Sequence, residues 1–236
     1  MKRIIIVAAY VLAALSAESC LVRINEKVIR SEMRDVVKAN GDLVTQTRRL
    51  DGDVRVYQLL GSNDFVFVQH DTEPYLEITA SENIMPYLNT ELSEDGRLTC
   101  RFTSTSNISM GYVKIVLYAP DLEEVNLVGS GDCLIEGLVR QGDFSVSVAG
   151  SGDIHLKGLE CVNLKVGIAG SGDAEIGVAA QGSVEASIAG SGDIRLIGSA
   201  DRASFSVAGS GDIDARGLKI ANGVSTSSKG SGDIRL

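Results

Sequence analysis

The chain has 236 residues, and its 31 acidic against 22 basic side chains give a net charge of −9. A surface of that sign repels nucleic acid and anionic membranes, so neither is an expected partner. No Cys/His spacing of the zinc type, no G-x-S-x-G, no H-E-x-x-H and no P-loop occurs, so the common catalytic and metal motifs are missing.

The chain opens with Lys2 and Arg3, an apolar run from Ile4 to Leu15, and then small residues. This reads as a signal peptide over residues 1–19, too short for a spanning helix. Two processing outcomes compete: cleavage after Ala17, releasing a soluble protein, or cleavage before Cys20, placing a lipid on that cysteine. The surroundings of Cys20 make a poor lipobox, with Glu18 at an unusual place. Loss of residues 1–19 removes two basic residues and one acidic, taking the net charge to about −10.

Residues 20–40 are charged, lack strong periodicity and read as a tether or a short linker. Residues 41–120 read as β throughout, with strands expected over Val54–Leu59, Phe65–His70, Tyr75–Thr79, Leu98–Phe102 and Tyr112–Tyr118. No 20-residue register runs through this part. It is expected to be an irregular β-rich capping region that leads into the structure beyond and covers its open edge.

From residue 121 the sequence GSGD recurs six times, at Gly129–Asp132, Gly150–Asp153, Gly170–Asp173, Gly190–Asp193, Gly209–Asp212 and Gly230–Asp233. Successive copies start 21, 20, 20, 19 and 21 residues apart. Such a period marks a stacked repeat. Seven and five residues before every Asp but the last stand apolar pairs such as Val146 and Val148, or Phe205 and Val207, with small or polar residues between them. One and three residues after it stand pairs such as Ile154 and Leu156. This period-2 pattern gives two half-buried strands per repeat. They are joined by the GSGD corner and closed by a second corner near Gly137, Gly158, Gly198 and Gly217. One coil cannot bury its apolar positions alone, so coils stack at about 4.8 Å into continuous columns. The fold class is therefore all-β: a right-handed parallel β-helix with about 20 residues per coil over residues 121–236. In the last coil Thr226, Ser228 and Lys229 stand at otherwise apolar or small positions. That polar coil is expected to cap itself or to dock onto something.

With these residues in view, the chain resembles the putative auto-transporter adhesin head GIN domain family of exported bacterial proteins. The resemblance covers residues 41–236. It rests on the GSGD repeats, on Glu82–Leu88 (ENIMPYL), and on Val113–Pro120 (VKIVLYAP) followed by Asp121, Leu122 and the first GSGD. It implies an exported β-helical domain of the periplasm, outer membrane or cell surface. It brings no catalytic motif and leans toward adhesion.

Three sets of side chains are candidates. Asp153, Asp173, Asp193 and Asp212 belong to one expected column of carboxylates about 5 Å apart, repelling by about 1 kcal/mol per pair in water. Each carboxylate accepting N–H bonds in its own corner would offset this. Ca²⁺ held between successive carboxylates is the alternative, although one carboxylate per coil is a thin ligand set. Otherwise no cofactor is expected. Ser147, Ser187 and Ser206 belong to a flat, small outer column that could lie against a partner's backbone or a glycan. The repeats hold few aromatics for sugar stacking. The outer column His155, Glu175, Arg195, Asp214 and Arg235 alternates in sign through its last four members and reads as a solvated face favouring register. Cys133 falls in an apolar column as a small hydrophobe.

The function expected is non-enzymatic: a rigid surface for adhesin-like binding to a protein or a cell-surface glycan. A structural or self-assembly module, with a homo-oligomer as partner, is the alternative. A carbohydrate-active enzyme is the second alternative. The coils have no long insertions to wall a cleft, and no catalytic residue is assigned.

Overall fold

The computed structural model describes residues 37–103, 108–109 and 111–236. The leader of residues 1–19 and Cys20 lie outside the described residues, as does the tether up to residue 36. At the tether's far end Val37–Lys38 forms a short parallel ladder with Ile108–Ser109.

The chain is nearly all β, and its parallel coils of about 21 residues stack into a solenoid of about five turns. Two sheets enclose one core, one of nine strands and one of ten. The strands that enter the GSGD corners form the first sheet, and those that leave form the second. Like residues pair with like from coil to coil. Ser147 pairs with Gly167, that glycine with Ser187, and Ser187 with Ser206. The predicted inward columns are the core. Val125, Val146, Val166, Ala186 and Phe205 are buried in one, and Cys133, Ile154, Ala174, Ile194 and Ile213 in another.

The GSGD glycines do two different jobs. Gly190 has φ +149°, a region that favours glycine. Gly192 has an ordinary φ, but a Cβ there would run into the carbonyl oxygen of Gly172 in the coil below. A Cβ on Gly190 would also meet the carbonyl oxygen of Gly170, so the first glycine supplies both an angle and space, and the second supplies space alone.

The second corner lies inside continuous strands. Ile154–Cys161, Ala174–Ala180, Ile194–Ala200 and Ile213–Ile220 carry strand pairing of seven or eight residues through it, and Gly137, Gly158 and Gly198 bend the backbone there at positive φ. Register shifts between Leu156 and Leu159, and between Arg195 and Ile197, absorb the unequal coil lengths. Past the bend the same strands bury Leu159, Val178 and Leu218, which widens the core.

Before residue 121 the stack continues out of sequence order. Val56–Gly61 and Asp64–Gln69 form the coil directly next to the first GSGD coil. Arg97–Phe102 and Val113–Ala119 lie outside it, parallel to it, although they follow it in the chain. The chain therefore passes back across one coil between Ala119 and Glu124. Two side chains hold this crossing. The Gln69 amide donates to the carbonyls of Pro120 and Val139, both at 2.9 Å, and accepts the Val139 N–H at 3.0 Å. The buried Arg140 donates to the Leu122 carbonyl at 2.7 Å, with Asp121 at 3.6 Å and Glu123 at 3.9 Å.

Antiparallel strands finish the stack. Leu43–Arg49 pairs with Tyr75–Ser81 on one sheet, and Leu88–Leu92 with Arg97–Phe102 on the other. Arg48 ties the two sheets, donating to the Leu88 carbonyl at 2.9 Å and the Thr90 hydroxyl at 3.1 Å. The core here is aromatic, with Tyr57 stacked on Phe65 at 3.6 Å between centroids and Phe67 buried nearby.

Candidate interaction surface

Ser147, Ser187 and Ser206 stand in one outward column of the nine-stranded sheet, with Gly167 between the first two. Two residues on, Ala149, Ala169, Ala189 and Ala208 form a second outward column in the same register. The two columns line a shallow recess of about 510 Å³. No side chain here rises beyond a hydroxymethyl, so an opposing backbone could approach closely. The hydroxyls are partly engaged: Ser147 donates to Asn126 Oδ1 at 2.5 Å and Ser187 to the Val166 carbonyl at 3.3 Å. Their rotamers are therefore restricted before anything binds, which lowers the ordering cost of contact.

The Asp column is built differently from expectation. Each carboxylate serves the next coil rather than its own corner. Asp173 N–H donates to Asp153 Oδ1, and Asp193 N–H to Asp173 Oδ1, both at 2.8 Å. Asp212 N–H donates to Asp193 Oδ1 at 2.7 Å, and Asp233 N–H to Asp212 Oδ1 at 2.8 Å. The ladder places an N–H dipole beside each carboxylate and offsets the repulsion along the column. It extends backward as well, because Asp132 N–H reaches Asp64 Oδ1 at 3.4 Å. Gly61-Ser62-Asn63-Asp64 is thus a seventh corner, with Gly61 paired to Gly129. Asn63 stands where the repeat has glycine, so the GSGD pattern alone does not mark this corner. Asn63 is fully buried.

Among the described residues, no three His, Cys, Asp or Glu side chains come together in a group that could hold a metal ion. The Oδ2 atoms of the last two Asp residues turn instead to Arg235, at 2.8 Å from Asp212 and 3.4 Å from Asp233. In the charged column His155 lies 3.9 Å from Glu175. Asp214 pairs at 2.7 Å with Arg216 on its own strand rather than with a column neighbour. Hydrogen bonds from Arg216 hold the Asp214 carboxyl well below the usual range.

Among the described residues no thiol is exposed. Cys100, Cys133 and Cys161 are free and buried. Burial pushes Cys100 up to about 12, Cys161 to about 11 and Cys133 higher still.

The capping region assembles a cluster that the repeats gave no reason to expect. On the outer face of the ten-stranded sheet, Arg49 pairs across to Tyr75, and Tyr75 to Tyr118. The two tyrosine rings stack at 4.5 Å with 8° between planes. The His70 ring meets Tyr118 edge-on at 6.4 Å, and its Nδ1 is 2.9 Å from the Thr72 hydroxyl. Tyr118 donates to Glu77 Oε2 at 3.2 Å. Desolvation, then the Glu77 charge, raises its phenol, so it keeps its proton and the bond. The sequence signal is a tyrosine at an outward position of each of two separate predicted strands, Tyr75 beside Leu76 and Tyr118 beside Leu117. Only their antiparallel pairing shows that they meet.

A family model described as "Putative auto-transporter adhesin, head GIN domain" matches residues 58–182 and 162–236. A search of the curated proteins finds no match. Among solved structures, the chain is similar to a putative lipid binding protein from Parabacteroides distasonis, at 27% identity and a TM-score of 0.74. The alignment covers 86% of this chain and 100% of that one. It is also similar to a putative adhesin from the same organism (24% identity, TM-score 0.73, 85% and 84% covered). A third, a putative adhesin from Bacteroides fragilis, aligns at 21% identity and a TM-score of 0.62, covering 84% and 99%. At such identities the two adhesins speak for the fold alone.

Proposed function

The chain belongs to the putative auto-transporter adhesin, head GIN domain family, and from that premise we propose that it is an exported, non-enzymatic cell-envelope protein whose stacked coils present a flat adhesive face. The leader of residues 1–19 would direct export, and Cys20, if lipidated, would hold the protein at a membrane. The observation that carries the reading is the paired column of Ser147, Ser187 and Ser206 with the alanines beside them, held in register by continuous strand pairing. A partner meeting it makes many weak contacts, and their sum is useful only because the stack is rigid. The lipid in the name of one neighbour would have to bind outside, because Phe65, Phe67, Phe144 and Phe205 are buried between the sheets here.

The test is retention of beads coated with the exported protein on mucin-coated glass under flow. Ser187→Glu with Ser206→Glu puts two charges on the face without touching the core. At least tenfold lower retention is expected, while Glu175→Gln on the opposite sheet leaves retention unchanged. Equal retention by all three proteins, or none by the wild type, contradicts the reading. Self-assembly through the same face is the second reading. Light scattering separates the two: a mass that grows with concentration and falls to the monomer in the double variant favours assembly.

A further inference from the structure

The stacked tyrosines of the capping region form one wall of a recess. Tyr118 covers one face of the Tyr75 ring, and the other face lies on the side of Arg49, where a recess of about 560 Å³ opens. Its other walls include Asp51 and the turn Thr72-Glu73-Pro74. The volume falls in the range of small-molecule sites, roughly 300–1,000 Å³. From these groups we propose that the recess binds one neutral pyranose unit of a glycan, with the sugar ring stacked on Tyr75.

The chemistry of the walls matches the two faces of a sugar. A pyranose offers a patch of C–H groups to an aromatic face and a rim of hydroxyls to polar groups. Asp51 and Glu73 accept from hydroxyls, and Arg49 donates to them in a planar fork. Charge selects the neutral class. Two carboxylates against one guanidinium disfavour an anionic sugar or a phosphate. The guanidinium beside the single exposed aromatic face disfavours a quaternary ammonium, which would require a cage without a competing cation. Preorganisation is built in. Tyr118 is fixed by its bond to Glu77 and by the His70 ring, so it backs Tyr75 as a rigid plate. The bond between His70 and Thr72 fixes the start of the turn that carries Glu73. Recognition of a terminal or internal unit would be weak for one site and would add to the contact made by the serine face without depending on it.

The experiment is titration of the exported protein with maltohexaose, cellohexaose and mannohexaose, with hexagalacturonate and choline as the charged arms. The chain has no Trp, so the fluorescence of its six tyrosines follows binding, and titration calorimetry reads the affinity in the variant that lacks Tyr75. At least one neutral hexaose is expected to saturate a tyrosine signal. Tyr75→Ala is expected to lower that affinity at least tenfold, and Glu73→Ala, an exposed change that spares the fold, at least threefold. Ser187→Glu is expected to leave it unchanged, which separates this site from the adhesive face. Binding only to hexagalacturonate or only to choline overturns the proposal. So does the absence of any neutral ligand, or affinity that both Tyr75→Ala and Glu73→Ala leave intact.

Discussion

The regular coils and the capping region solve the same problem with opposite means. Beyond residue 121 the stack is held by repetition: glycine over glycine at the corners, Asp over Asp beside them, and mostly aliphatic columns inside, with Phe144 and Phe205 among them. Before it, single side chains do what repetition does elsewhere. Gln69 holds the crossing, with Arg140 reaching back to it from the first regular coil, Arg48 ties the two sheets, and Tyr57, Phe65 and Phe67 fill the core. The difference shows what each region is free to vary. A repeated coil must keep its neighbours' spacing and so presents a uniform face. A region without repeats can place an aromatic wall and a recess.

The contrast breaks most severely at a stacked glycine. Gly192→Ala drives a Cβ into the Gly172 carbonyl, and neither backbone can move without disturbing the columns. A loss of about 3 kcal/mol is expected, at the upper end for overpacking, read as a fall in the urea midpoint. Gly177→Ala is the control: its Cβ would find 3.6 Å to the nearest backbone, and the change should stay within about 0.5 kcal/mol. A similar loss for both would mean that corner spacing is not what limits the stack.

Next in size is the crossing. Arg140→Ala removes a buried donor from the Leu122 carbonyl and a cation from between Asp121 and Glu123. About 2 kcal/mol is expected, with faster amide exchange confined to the crossing and the strands beside it. Exchange that rises equally in the last coils would contradict the division into two regions.

A smaller effect tests the carboxylate ladder. Asp173→Ala leaves the Asp193 N–H without its acceptor and should cost about 1 kcal/mol in thermal unfolding, whereas Asp173→Asn keeps an oxygen there and should cost less. An equal loss from both would mean that charge, not the hydrogen bond, matters. The smallest effect is that of Ca²⁺. With one carboxylate oxygen per coil already engaged by an N–H, millimolar Ca²⁺ is expected to move the melting temperature by less than about 2 °C. A rise of several degrees that EDTA reverses would make the column a metal ladder.

The sequence made the regular coils legible because their information is periodic. Val146, Ile154 and Leu156 fall in the core where alternation put them, and Ser147, Ser187 and Ser206 fall in one outer column. It misplaced the Asp hydrogen bonds, since an Asx turn and a coil-to-coil ladder call for the same residue. In the capping region the predicted strands are present within a residue or two, but Leu43–Arg49 and Leu88–Leu92 were not foreseen. Their inward residues include Gln46, Arg48 and Thr90, which are polar because they close an end rather than fill a core. The out-of-order coil was hidden for another reason. Pairing at unequal separations, Val56 with Arg97 on one sheet and Asp64 with Lys114 on the other, leaves no period to read.

The most direct test of the account lengthens the regular region by one coil. A second copy of residues 171–190 inserted after Gly190 keeps every column in phase and extends the serine and alanine face by one rung. The prediction is a folded monomer that unfolds at or above the wild-type midpoint and is retained on mucin-coated glass more strongly. An inserted protein that aggregates or melts early would contradict the modular stack, and one that folds but adheres no better would contradict the role given to its face.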